Sequence, residues 1–136
     1  MGRLTLDTTL LIAGERGIVD PEDFTVGDDV SVPAIAIAEY LQGTLQTTSP
    51  ARARTSRGFL EMVLAILPVD GYTAEVAEHH AELLMHTKQV GRPRGAHDLI
   101  IAATARATNR TILTLDHRAA FDDLPGVAVT TLPARS

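Results

Sequence analysis

Apolar and polar positions along the chain alternate between short runs of period two and longer stripes of helical period. Leu4 and Leu6 flank Thr5, which predicts a strand over 3–6; Leu10, Leu11 and Ile12 then continue into a helix that starts at a Thr8 or Thr9 cap and stops near Gly14 to Gly17. The acidic stretch 19–29 reads as a solvated loop with a short helix or turn, and 30–32 as a second strand ended by Pro33. Helices are expected over 34–45 and 50–67, a third short strand over 68–70, and a helix over 72–89 whose apolar stripe uses Val76, Leu83 and Leu84. The basic loop VGRPRG precedes a helix over 96–107, a strand over 110–115 and, after Pro125-Gly126, a last strand over 127–132. Strands alternating with helices predict an α/β fold with a mainly parallel sheet.

One acid interrupts the apolar pattern at the first strand-to-helix junction. Asp7 stands where buried surface is expected, and an unpaired buried charge is costly. Ligand crevices in open α/β sheets lie outside the carboxyl ends of strands, which makes this a place for chemistry; a plain helix cap accounts for the same residue. Asp116 repeats the placement after the strand over 110–115. Glu39 is the only charge between Asp29 and Arg52, on a face shared with Ile35 and Ala36; its head either reaches solvent or is paired. Asp98 falls in the first turn of its helix, a position the macrodipole also favours. Four acids in apolar settings point to a shared divalent cation. They converge only if the first strand and the strand over 110–115 lie side by side.

The remaining composition narrows the chemistry. With 136 residues and 45% hydrophobic content the chain is one domain's worth, and with 4% aromatics and no Trp its core must be aliphatic. The absence of Cys excludes disulfides, thiolate metal sites and a Cys nucleophile. Neither a membrane span nor a signal peptide is evident, so a soluble, cytoplasmic protein is expected. An acid cluster without Cys or paired ligand His suits Mg2+ or Mn2+ and phosphate-ester chemistry rather than zinc hydrolysis. The net charge of −5 argues against binding nucleic acid by bulk electrostatics, but local patches remain, since every basic residue except Lys88 is Arg. Arg54, Arg57, Arg92 and Arg94 are the candidates for gripping phosphates or acidic groups of a partner protein, beside the plainer reading of solvated helix and loop charges. His79, His80 and His86 are assigned no chemistry.

The segments LDTTLLIA, IAIAEYLQG, GAHDLIIAATA and LTLDHRAAF, in this order and spanning nearly the whole chain, resemble the PIN-domain ribonucleases of the bacterial VapC toxin type. That resemblance implies a three-layer α/β/α sandwich over 1–136 as a single domain, and metal-dependent endonucleolytic cleavage of RNA. It further implies inhibition by a cognate VapB-like antitoxin whose tail covers the acidic pocket, and homodimers. By correspondence, Asp7, Glu39, Asp98 and Asp116 are the catalytic acids, Asp7, Asp98 and Asp116 hold the metal with Glu39 serving the attacking water, and Thr8 and Thr114 supply hydroxyls. Some relatives carry a further acid just after the fourth; here His117 and Arg118 follow Asp116, which leaves a second metal without that ligand.

Three other readings compete. An HD-type metal phosphohydrolase would use His79 or His80, the His97-Asp98 pair and Asp116, but belongs to all-helical folds. A haloacid-dehalogenase-like phosphatase needs a second Asp where Thr9 stands. A non-catalytic PIN-fold binding module would not need all four acids. No GxGxxG, P-loop or GxSxG occurs.

Overall fold

The computed structural model describes residues 2–25 and 28–132. Five strands, β1 (Arg3–Leu6), β2 (Asp29–Pro33), β3 (Val69–Asp70), β4 (Thr111–Thr114) and β5 (Val129–Thr131), form one sheet in the order β3-β2-β1-β4-β5. Every pairing is parallel, and Leu6 lies opposite Leu113 in the register of β1 and β4. The chain leaves β1 for β2 on one side and later returns to β4 on the other. The carboxyl ends of β1 and β4 therefore flank the point where the winding reverses, where α/β sheets open a crevice.

Six helices cover the sheet: α1 (Thr8–Glu15), α2 (Glu22–Thr25), α3 (Ala34–Gln46), α4 (Pro50–Ile66), α5 (Ala74–Val90) and α6 (Ala96–Thr108). Alternation along the strands divides the apolar residues between two faces. Leu6, Val30, Val32 and Leu113 pack with Leu10 and Leu11 of α1, Ala36 and Tyr40 of α3, and Leu60 and Val63 of α4. Ile112 points the other way, into Val76 and Leu83 of α5, Leu99, Ile101 and Ala102 of α6, and Phe121. Two cores separated by one sheet make a three-layer α/β/α sandwich. Close approach of α1 and α4 uses Gly14, where a Cβ would stand 2.9 Å from Phe59 Cζ.

Strand β1 and helices α3, α4 and α6 fall where the hydrophobic pattern predicts them, to within a residue or two. Two details differ. The α1 cap is Asp7 itself, the alternative left open for that residue, whose side chain accepts from the Leu10 amide; Thr8 and Thr9 do not cap the helix. Leu84 is 47% exposed, so the buried stripe of α5 runs through Val76 and Leu83 alone. Helix α5 begins after a Thr73 cap, two residues later than its apolar pattern predicts. Among the described residues no helix is long and apolar enough to cross a membrane.

Ile112 is fully buried in the strand that brings Asp116 to the crevice. Ile112→Ala is expected to cost about 2–5 kcal/mol through lost burial and an unfilled cavity, read as a lower urea midpoint at unchanged slope.

Candidate functional site

Parallel pairing of β1 and β4 meets the condition that the four acids impose. The Asp7 amide donates to the Leu113 carbonyl at 3.2 Å, continuing the ladder past Leu6 and fixing Asp7 beside the end of β4. Its side chain is 4% exposed. A carboxylate only accepts, so its neighbours must donate. Thr9 Oγ1 donates to Asp7 Oδ1 at 2.5 Å, the Leu10 amide donates to the same oxygen at 3.3 Å, and Thr114 Oγ1 donates to Asp7 Oδ2.

The same hydroxyls also order the chain after β4. Thr9 Oγ1 accepts from the Leu115 amide at 3.0 Å and Thr114 Oγ1 from the Asp116 amide at 2.9 Å. Asp116 is thereby tied to Asp7 through one hydroxyl, while its own Oδ1 accepts from the Arg118 amide at 2.8 Å. Arg118 Nε stands 3.8 Å from that oxygen; the His117 side chain lies outside the described part of the structure. Asp122, which the sequence reading passed over, lines a hollow of about 290 Å3 with Thr114 and Asp116.

Glu39 joins two helix starts. Its Oε1 accepts from Thr8 Oγ1 at 2.7 Å, at the start of α1, and its Oε2 is 3.2 Å from His97 Nδ1, at the start of α6. Asp98 follows His97, and among the described residues none donates a hydrogen bond to it. Space for its carboxylate comes from Gly95, where a Cβ would stand 2.9 Å from Asp98 Oδ2. Gly95 has φ −59°, which any residue adopts, so the glycine is required here for room rather than for backbone freedom. The sequence reading offers Thr9 and Gly95 no place in the site, and His97 one only in the HD-type reading. The signals are present in hindsight, two residues after Asp7 and one and three before Asp98.

Electrostatics couples the acids. Burial raises the Asp7 carboxyl above the usual carboxylate range, opposed by the Thr114, Thr9 and Leu10 donors and reinforced by the charge of Asp116. Burial also raises Asp98, followed by the charges of Glu39 and Asp116, with His97 and Arg94 acting in the opposite sense. Asp98 thus senses two other acids, and Asp7 one. The negative field, only in part offset by His97 and Arg94, and the all-oxygen donor set fit a hard divalent cation. Among the described residues no three Asp, Glu or His side chains are preassembled as a cage. Instead of the expected cage closed by Asp116, the arrangement suits an ion that keeps several waters and takes one or two carboxylates, as Mg2+ does.

The four arginines divide. Arg94 is 11% exposed, and its Nη1 donates to the Ala119 and Ala120 carbonyls at 2.7 Å each. Ala120 has φ +50°, a left-handed conformation costly for a residue with a Cβ, and Arg94 clamps that turn. This correction to the reading of Arg94 as an RNA contact follows from its donors being committed to the chain's own carbonyls. Arg92 is exposed and 3.4 Å from Asp123, a surface pair of small energetic weight. Arg54 and Arg57 are exposed on α4 without a side-chain partner among the described residues.

The HD-type alternative is overturned by the five-stranded parallel sheet. His80 Nδ1 is 2.8 Å from the Tyr72 hydroxyl and lines a hollow of about 520 Å3 that contains none of the four acids.

Comparison with known proteins gives a consistent picture. The PIN domain family model matches residues 4–127. A protein named Ribonuclease VapC from Rickettsia bellii (strain RML369-C) is 29% identical over 132 residues, covering 97% of this chain and 98% of that protein. The structure of VapBC2 from Rickettsia felis bound to a DNA fragment from the promoter aligns with a TM-score of 0.85 at 21% identity, over 96% of this chain and 98% of the other. DNA-bound VapBC from Salmonella typhimurium aligns with a TM-score of 0.82 at 22% identity and the same coverage. At these identities the structural matches establish the fold.

Because the Asp98 pKa in the folded protein lies above its ordinary value of 3.8, folding favours the protonated form. That stabilisation is complete below the ordinary value and is lost as pH rises through the raised one. In metal-free protein, Asp98→Asn is therefore expected to raise the melting temperature by a few degrees at pH 7, with the gain vanishing on acidification towards 3.8. A gain that persists unchanged in acid would contradict the electrostatic origin.

Proposed function

Because the chain belongs to the PIN-domain family, we propose that it is a metal-dependent endoribonuclease acting in the cytoplasm as the toxin of a type II toxin-antitoxin pair. The observation that carries this reading is the coupling of Asp7, Asp98 and Asp116 in one negative field beside the carboxyl ends of β1 and β4. The ribonuclease name of the relative and the VapBC complexes among the structural neighbours support it. One domain, 1–136, carries the activity.

Asp7 and Asp98 would hold Mg2+ or Mn2+ directly or through water, with Asp116 adding charge from the end of β4. When bound, the ion supplies Lewis-acid activation of water and neutralises charge growing on the phosphate oxygens. The protein's own contribution is positional. Thr9, Thr114 and the Leu10 amide hold both Asp7 oxygens, so this carboxylate needs no reordering when the substrate arrives. Glu39, held by Thr8 on one oxygen and facing His97 on the other, orients the attacking water and takes its proton. The products of such hydrolysis are two RNA fragments. Arg54, Arg57 and Arg92 are solvent-facing cations for phosphates farther along the strand, in a homodimer that a VapB-like antitoxin silences by covering the acids.

Asp7→Asn keeps an acceptor for the Leu10 amide and removes the charge. It is expected to lower RNA cleavage in Mn2+ by at least about a hundredfold, the usual scale for losing a preorganised electrostatic group, while the circular-dichroism spectrum stays that of wild type. EDTA should abolish wild-type cleavage and Mn2+ restore it. Cleavage by Asp7→Asn at the wild-type rate would refute the assignment.

A further inference from the structure

Beside Glu39 the surface opens into a pocket of about 140 Å3 between α1, α3 and the start of α4, lined by Glu15, Arg16, Tyr40, Arg52 and Ser56 as well as Glu39. At about 30 Å3 per water this is room for roughly five waters, too small for an extended ligand and suited to one compact group. Both of its acids already have partners: Glu15 Oε1 accepts from the Tyr40 hydroxyl, and Glu39 accepts from Thr8 and faces His97. Its cations are less engaged: Arg16 and Arg52 are exposed and make no side-chain hydrogen bond or ion pair among the described residues, although the Arg16 charge is felt at the Tyr40 hydroxyl.

Their placement bears on the ligand's charge. Arg16 caps the C-terminal end of α1, where a cation suits the helix dipole whether or not a ligand binds. Arg52 sits in the first turn of α4, after the Ser49 cap, where the dipole disfavours a cation. Two arginines, one at the end of α1 and one in the first turn of α4, thus line one small hollow next to an acid of the catalytic cluster.

We propose that Arg16 and Arg52 form a subsite for a backbone phosphate of the RNA strand, one that neighbours the phosphodiester to be cut. The subsite rests on the ribonuclease reading above. The Arg forks grip the phosphate oxygens, and Glu39, lining the same pocket, sets the distance from that phosphate to the acids. The contact fixes the register of the strand without reading its bases.

The test is RNA binding by the full chain in EDTA, followed by fluorescence anisotropy with a short labelled single-stranded RNA of mixed sequence, and cleavage of the same RNA in Mn2+ in parallel. Arg16→Ala and Arg52→Ala should each weaken binding roughly tenfold, the scale of one hydrogen-bonded charged contact. Because both grip one phosphate, the double variant should lower the slope of log Kd against log salt by about 0.7, and each single variant by part of that. Arg52→Lys should keep the slope while recovering part of the affinity, and Lys88→Ala, on the exposed last turn of α5, should change neither. A double Arg16→Ala, Arg52→Ala variant that binds with wild-type affinity and slope overturns the subsite, as does an equal loss for Lys88→Ala. Wild-type cleavage alongside unchanged binding by the double variant removes the subsite and leaves the nuclease standing. Arginine-dependent binding without any cleavage removes the nuclease and leaves a phosphate site.

Discussion

A carboxylate buried at the end of the central strand is the constraint on which the rest of this structure depends. Asp7 is held there by two threonine hydroxyls and one amide, and those hydroxyls each accept an amide from the chain just after β4. The polar contacts that keep Asp7 in place are therefore the same ones that set the direction of the chain at Asp116. Parallel pairing of β1 with β4 makes this geometry possible, since only a neighbouring strand of the same direction delivers a second acid to the same edge. Replacing Thr114 by an apolar residue of similar shape would leave Asp7 Oδ2 buried without a donor, a more damaging change than the loss of one average hydrogen bond, whereas Oδ1 would keep the Leu10 amide if Thr9 were replaced.

The helices supply the remaining charges, and each arrives with a local structural cost. Glu39 occupies the middle of α3 and borrows a hydroxyl from Thr8 and an imidazole from His97. Asp98 lies over Gly95, which caps α6 without a side-chain hydrogen bond. A serine or aspartate cap would stabilise that helix but would fill the space that Asp98 occupies. Arg94 meanwhile restrains the left-handed turn at Ala120 and lends positive charge towards Asp98. Local rules of stability give way here in the same small region, as happens where a fold is shaped by a ligand.

What the sequence made readable follows the range of the interactions. Strand β1 and helix α6 were predicted closely because their apolar periodicity is local, and Asp7 and Asp98 stood out as acids against that background. The α1 cap was misassigned because Thr8, Thr9 and Asp7 are all good cap formers; the choice is made by the β-ladder, which runs on to the Asp7 amide through Leu113. Arg94 looked like one more charge in a basic loop, since the carbonyls it binds lie 25 and 26 residues away. Leu84 sits at helical spacing from the α5 stripe, but no element covers its face of the helix closely enough to bury it. The pocket between Arg16 and Arg52 joins residues from three helices, and no local pattern announces it.

The central claim is that the crowded acids at the ends of β1 and β4 are balanced by a hard divalent cation. Its most direct test is the melting temperature of the wild-type chain as Mn2+ is added, because an ion that binds only the folded state stabilises it by about 2.7 kcal/mol at a hundredfold excess over Kd. The account predicts a rise of several degrees with Mn2+ that is absent when Asp7 and Asp98 are both replaced by Asn. A wild-type melting temperature indifferent to Mn2+, or one that rises equally in the doubly substituted protein, would contradict it.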